Sequence, residues 1–337
     1  MWPWLIFLSL AAAIIAAFVV PMPYYIDGPG LVQATQPLVS VSGHRSYTSK
    51  GRVMFTTVSQ RRATPALLLR AWLDDSVDSL PEKQVTPDGN RDQQRREEQA
   101  QMDRSKLTAL EVAFHQLDLP LTISGTGAFI NEVAPSFPSA KVIKPGDVIT
   151  AIDGTPVSVD DDVRPLLTGK AVGADVTLSL RKKGATDTTD VRTTLGRNED
   201  DPSHGYLGVA LSTADEKVNL PFEIELDSGS VIGPSAGLAW TLGVIDRLSP
   251  GDLTHGRVVA VTGTIAEDGS VGPIGGISQK VVAAKDAGAT LFLYPASTDR
   301  ADVRRMRSLA GDDIELKSVA TIEDALKVLD PNGLGAA

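Results

Sequence analysis

The apolar and polar positions divide this chain before any chemistry is considered. Residues 1–20 (MWPWLIFLSLAAAIIAAFVV) hold no charged side chain. Twenty residues at ~1.5 Å each cover a hydrocarbon core of ~30 Å, so the run predicts one N-terminal transmembrane helix. Trp2 and Trp4 at one end and Tyr24 and Tyr25 at the other suit the two interfaces. No Lys/Arg region precedes the run, and no small-x-small site precedes Pro21-Met22-Pro23. Both points favour a retained anchor over a cleaved signal peptide. The run carries no flanking positive charge, so charge does not set its orientation.

Beyond the run, residues 24–65 are Gly- and Thr-rich, with strand-like pieces at 37–41 and 52–58. Residues 66–73 (ALLLRAWL) predict a short packed helix. Residues 74–106 are charged and Gln-rich, broken by Pro81, Pro87 and Gly89. Within them, 91–106 predicts a solvated helix. Leu107, Leu110, Phe114 and Leu117 then mark an amphipathic helix that ends before Pro120. Farther on, residues 176–180 (VTLSL) alternate as a strand. From residue 289 the order is strand (290–295), helix (299–309), strand (314–319), helix (322–329), which is α/β patterning.

Two stretches carry candidate chemistry. After Gly233-Pro234-Ser235-Ala236-Gly237, Leu238, Leu242 and Ile245 fall on one helix face. Ser235 therefore sits at a helix N-terminus. A serine there caps the helix, or serves as a nucleophile whose developing charge meets backbone N–H groups. The second stretch is 258–265 (VVAVTGTI), a buried strand, followed by Gly272-Pro273-Ile274-Gly275-Gly276 and a helix from Ile277. Ile277, Val281 and Ala284 are that helix's apolar face, and Lys280 lies on it. A lysine among core residues either snorkels to the surface or is a desolvated amine fit to act as a base.

These residues resemble a known family. GPSAG, VTGTIAEDGSVGPIGGISQK and AAKDAGATLFLYPA together resemble the proteolytic domain of the Lon peptidases. The resemblance implies a serine–lysine dyad: Ser235 as nucleophile, Lys280 as base and Thr262 orienting the lysine. The backbone around Gly233, Pro234 and Ala236 would form the oxyanion site. A second run, 144–154 (KPGDVITAIDG), resembles the PDZ domains of bacterial proteases. PDZ domains take an extended peptide as an added strand. By that resemblance Gly125, Thr126, Gly127, Ala128, Phe129 and Ile130 would line the groove; a blocked groove that serves only for packing is the other reading.

Composition narrows the function further. At 337 residues two or three domains are expected, and 42% hydrophobic with 22% charged residues is ordinary for a folded chain. The net charge of −10 argues against a nucleic-acid partner. The absence of cysteine removes a thiol nucleophile, a disulfide framework and cysteine metal sites. The four histidines, His44, His115, His204 and His255, stand in no metal-binding spacing, so no metal and no cofactor is expected. The sequence has no G-x-x-x-x-G-K-[ST] loop, so no nucleotide partner is expected either.

The expected fold is α+β: an α/β Lon-type proteolytic domain, an inserted PDZ domain of β-barrel-like form, and the anchor. Its boundaries are 1–23 (anchor), 24–120 (first part of the protease domain), 121–197 (PDZ) and 198–337 (second part, with the dyad). The expected function is an ATP-independent serine endopeptidase at the cell membrane, with its body outside the cytoplasm. Its partners would be protein or peptide substrates, exported or membrane-bound, and by resemblance a homo-hexamer is expected. The competing reading is a non-enzymatic PDZ scaffold on a vestigial protease fold.

Overall fold

The computed structural model describes residues 3–86, 90–198 and 204–331, with the side chains of 3, 5 and 6 left out. The chain forms two compact units. One joins residues 1–120 to 222–337; the other is residues 121–221.

The first unit opens with helix α1 (Pro3–Val19), whose apolar side chains are largely exposed. Among the described residues no helix is long and apolar enough to cross a membrane. The 17 residues of α1 rise about 26 Å, and residues 1 and 2 lie outside the described part. Strands β1 (Tyr24–Ala34), β2 (Val39–Ser42) and β3 (Arg52–Arg62) follow. Helix α2 (Pro65–Leu73) is capped by Thr64 and leads to strand β4 (Asp78–Pro81). Helix α3 (Arg91–Gln116) is continuous, with Asn90 capping its start at the Gln93 N–H. The charged stretch and the amphipathic stretch are thus one helix, because nothing between 91 and 116 breaks it. Pro87 and Gly89 precede its cap and lie outside the described residues.

The second unit is built on strands β5 (Ala128–Val133) and β6 (Val148–Ile152), helix α4 (Val163–Leu167), and strands β7 (Asp175–Arg181), β8 (Thr188–Thr194) and β9 (Val209–Thr213). Its sheet runs β8-β7-β6-β5-β9 around a core that includes Ile130, Ile149, Ile152, Leu178 and Leu180. Strand β9 pairs antiparallel with β5, Thr213 opposite Ala128 and Val209 opposite Val133. Residues 198–221, which the sequence assigns to the second part of the protease domain, therefore lie with this unit. The pairing partner is 80 residues upstream, and strand register across such a separation is not written in local pattern.

The chain returns to the first unit with strand β10 (Glu223–Leu226), helix α5 (Gly237–Leu248), strand β11 (Val258–Val261) and helix α6 (Ile277–Asp286). Strand β12 (Leu291–Pro295), helix α7 (Arg300–Ala310), strand β13 (Glu315–Val319) and helix α8 (Ile322–Leu329) complete it. The main sheet runs β13-β12-β11-β3-β1-β4. Its centre is the parallel pair β3–β11, Met54 opposite Ala260, which unites the two halves of the unit. Strand β10 pairs with β2 and joins the halves a second time. Helix α6 lays Ile277, Val281 and Ala284 on Met54, Ala260, Phe292 and Tyr294. Helix α5 is buried nearly all round, with Trp240 tilted 35° against Phe55 at 5.6 Å.

Candidate active site

Ser235 owes its place to the turn before α5. Gly233 holds φ at +90°, a conformation an L side chain rarely adopts, and Pro234 starts a short 3-10 turn that leads into the helix. Two neighbours fasten this turn. Ser105 Oγ of α3 donates to the Pro234 carbonyl at 3.1 Å, and the Gly263 N–H donates to the Ser235 carbonyl at 3.0 Å. The N-cap of α5 is Ala236 rather than Ser235, and no side-chain cap bond closes the helix, so the Ser235 hydroxyl is not spent on capping.

Lys280 sits one turn into α6, its stem on the face that packs into the core, and only 2% of the residue is exposed. The helix starts at Gly276, whose φ is +66° and whose missing Cβ would stand 2.4 Å from Val58. Gly276 thus lets α6 close down on β3. The Lys280 ammonium has no carboxylate partner among the described residues; its Nζ donates to Thr262 Oγ1 at 3.2 Å. Burial pushes its pKa down from 10.5 to about 8. Thr262 is fully buried at the end of β11, and its hydroxyl donates in turn to the Ser235 carbonyl at 3.4 Å. The structure therefore brings Ser235, Thr262 and Lys280 to one place, linked through Thr262. In this arrangement Nζ bonds the threonine rather than Ser235 Oγ; catalytic hydrogen bonds are often long in unliganded sites and tighten in the substrate complex.

The three residues expected around the oxyanion differ in what they offer. Pro234 has no N–H to give. The Gly233 N–H already donates to the Glu98 carbonyl of α3, at 3.1 Å. Ala236 is buried in the 3-10 turn. The N–H groups of Ser235 and Ala236 are the remaining candidates in this turn.

Both Ser235 and Lys280 line a cleft of about 980 Å3. One wall is β1 and β3; the other is the N-terminal half of α3, with Arg91, Arg95, Glu98 and Gln101 facing in. The sequence reads that half as a solvated helix, since charge without apolar periodicity looks the same on an open face and on a polar cleft. The cleft also contains a residue that sequence reasoning missed. Thr56 of β3 is 1% exposed, and its hydroxyl has no partner in the protein. A buried hydroxyl left so is costly, and a ligand in the cleft would relieve it. Only its place in a β-branched run was visible in the sequence. No group of acidic and His side chains suited to hold a metal occurs among the described residues.

In the second unit the groove lies elsewhere than along Gly125–Ile130. Both edges of β5 are taken, by β6 at Ala128 and Phe129 and by β9 along its length, and Ala128 and Ile130 are in the core. A peptide cannot add a strand there. A cavity of about 340 Å3 lies instead between α4 and the segment 204–211, lined by Val163, Arg164, Leu167, Tyr206, Leu207 and Leu211. Strand β9 is the edge strand of its sheet, so its outer side is open to an added strand. The sequence signal was present in Gly205-Tyr206-Leu207-Gly208-Val209, but the missing piece was the fold that carries it to α4.

Comparison with known proteins supports both units. Residues 218–330 match the model of the Lon protease (S16) C-terminal proteolytic domain, and residues 99–193 match that of the PDZ domain. A Lon protease of Phenylobacterium zucineum is 44% identical over 100 residues, 29% of this chain and 12% of that protein. Lon protease 2 of Bacillus subtilis is 34% identical over 120 residues, 36% of this chain and 20% of that protein. The chain thus spans between about an eighth and a fifth of the length of these relatives. The PDZ domain of an SdrC-like protein from Listeria monocytogenes is 24% identical, with a TM-score of 0.23, and covers 26% of this chain and 87% of that one.

Proposed function

This chain carries a Lon (S16) C-terminal proteolytic domain and a PDZ domain, and from that premise we propose that it is a membrane-anchored serine endopeptidase that works without a nucleotide. The observation that carries the reading is Lys280: a nearly buried lysine with no carboxylate partner, its pKa lowered to about 8, in one cleft with Ser235. Such a lysine has no structural use that an apolar residue would not serve better. As a base it has one. Neutral Nζ takes the proton of Ser235 Oγ as the oxygen attacks a peptide carbonyl, and gives it to the departing amine. Thr262 aims the amine. The Ser235 N–H meets the oxyanion, a donor of the kind whose loss costs about 3 kcal/mol in the transition state.

Substrates would reach the enzyme through the groove beside α4, their C-terminal residues adding to β9. Residues 1–20 would anchor the unit. Their lack of charge and the exposure of Phe7, Ile15 and Phe18 on α1 support this. The body would lie outside the cytoplasm and assemble as a hexamer. Protease accessibility in spheroplasts tests the first, and sedimentation in detergent tests the second. Along β1, Tyr24 at the anchor and Gly30 at the cleft are six residues apart, about 20 Å of strand. Exported and membrane proteins near the bilayer are therefore the expected substrates.

A fluorophosphonate probe tests the central claim. Labelling at Ser235 that vanishes in Lys280→Ala supports the dyad. No labelling of the assembled, detergent-solubilised wild type would leave the non-enzymatic scaffold as the reading.

A further inference from the structure

We propose that the outer face of α2 is a membrane-docking surface, on which Leu69, Trp72 and Leu73 enter the interfacial layer of the bilayer that residues 1–20 anchor; the proposal rests on that anchor. Leu69, Trp72 and Leu73 are 56%, 80% and 70% exposed, the three most exposed large apolar side chains among the described residues outside α1. Their spacing of three and four residues sets them on one helix face. The opposite face, Leu67, Leu68 and Ala71, packs on Ile26, Ala63 and Val77. One apolar side of the helix is thus packed on its own protein, and the other stays exposed among the described residues. Contiguous exposed apolar residues of this size mark an interaction surface.

The place of α2 points to lipid as the occupant. Helix α1 packs beside α2. The chain leaving α1 is pinned there, since the Met22 N–H donates to the Ala63 carbonyl at 2.8 Å and the Met22 side chain joins the cluster under α2. Helix α2, with its exposed apolar face, therefore stands beside the exposed apolar helix α1. Trp72, with an apolar ring and a polar N–H, has the chemistry of the interfacial layer, as does half-exposed Tyr24 next to the anchor. Charge is not the attraction: Arg70 pairs with Asp74 at 3.4 Å and Arg62 with Glu82 at 2.9 Å. Docking should then depend on apolar insertion and little on anionic lipid or salt.

The chain has no cysteine, so one introduced thiol can be labelled alone. Full-length Trp72→Cys and, separately, Phe18→Cys would carry an environment-sensitive fluorophore in phosphatidylcholine vesicles. Lipids bearing a shallow spin label should quench the label at 72 about twofold or more, in low and high salt alike. Adding Leu69→Ser and Leu73→Ser should abolish that quenching and leave the quenching at 18. Quenching at 18 without quenching at 72 overturns the docking surface and leaves the anchor standing. No quenching at either position overturns both. Quenching at 72 by a spin-labelled second copy, in place of lipid, overturns the proposal in favour of a contact between subunits.

Discussion

At the scale of single residues, Lys280 sets the pH behaviour. Its folded pKa is about 8 and its ordinary value 10.5. As a general base it must be neutral, so kcat/KM should rise about tenfold per pH unit below 8 and level off above it. A profile that is flat from pH 6 to 9 would rule out Lys280 as the titrating base. Lys280→Arg should be inactive at every pH, since a guanidinium keeps its proton. The same burial has a cost in stability. Between pH 8 and 10.5 the unfolded chain binds more protons at this site than the folded one, so stability rises with pH across that window. Below pH 8 the full penalty is present, on the order of 3 kcal/mol. Lys280→Met should be inactive yet more stable at pH 7. Its unfolding free energy should also lose that rise, as denaturant melts at pH 7 and 10 will reveal.

At the scale of elements, the second unit turns on which strand has a free edge. β5 has none, and β9 has one. Leu211 lies on β9 and lines the groove with Val163 and Leu167 of α4. Leu211→Glu should weaken binding of a C-terminal apolar peptide by about tenfold or more, the loss of one apolar pocket contact and the burial of a charge. Thr126→Ala, outside the cavity but among the residues the sequence favours, should leave it unchanged. Fluorescence anisotropy with a labelled peptide separates the two. Equal losses would return the groove to the Gly125–Ile130 side. Helix α3 teaches a similar point. Its C-terminal half buries Leu110, Phe114 and their neighbours, while its N-terminal half walls the cleft with polar side chains. One unbroken helix therefore carries a core role and a site role.

At the scale of the whole chain, the unit of 121–221 interrupts another. Phe222 stands with its ring 5.5 Å from that of Phe114, so the two ends left by removing 121–221 lie near each other. Replacing 121–221 by a short flexible linker should leave a soluble, folded unit whose Ser235 still takes the probe. Replacing only 121–197 should fail, because β9 would lose β5 and expose Leu211 and its neighbours without a partner. Circular dichroism and probe labelling of both deletions check this. If the shorter deletion is the better folded, strand β9 does not belong with β5.

What the sequence determined alone was local. The apolar run, the helix faces at Leu238–Ile245 and Ile277–Ala284, and the glycine-bounded turns before each stand in the pattern because helix and turn preferences act over a few residues. The pattern also singled out Ser235, beside a turn, and Lys280, on an apolar helix face, whereas Thr262 came only from the resemblance to the Lon peptidases. Tertiary structure alone decided the rest. It placed β9 against β5 across about 80 residues, and so closed the β5 edge that the sequence favours for a peptide. It folded the charged start of α3 over the cleft, buried the hydroxyl of Thr56 there, and gave the Gly233 N–H to Glu98. Each of these is a contact between residues far apart in sequence. The identity of a residue says what bond it can make, and only the packing of the whole chain says which partner is within reach.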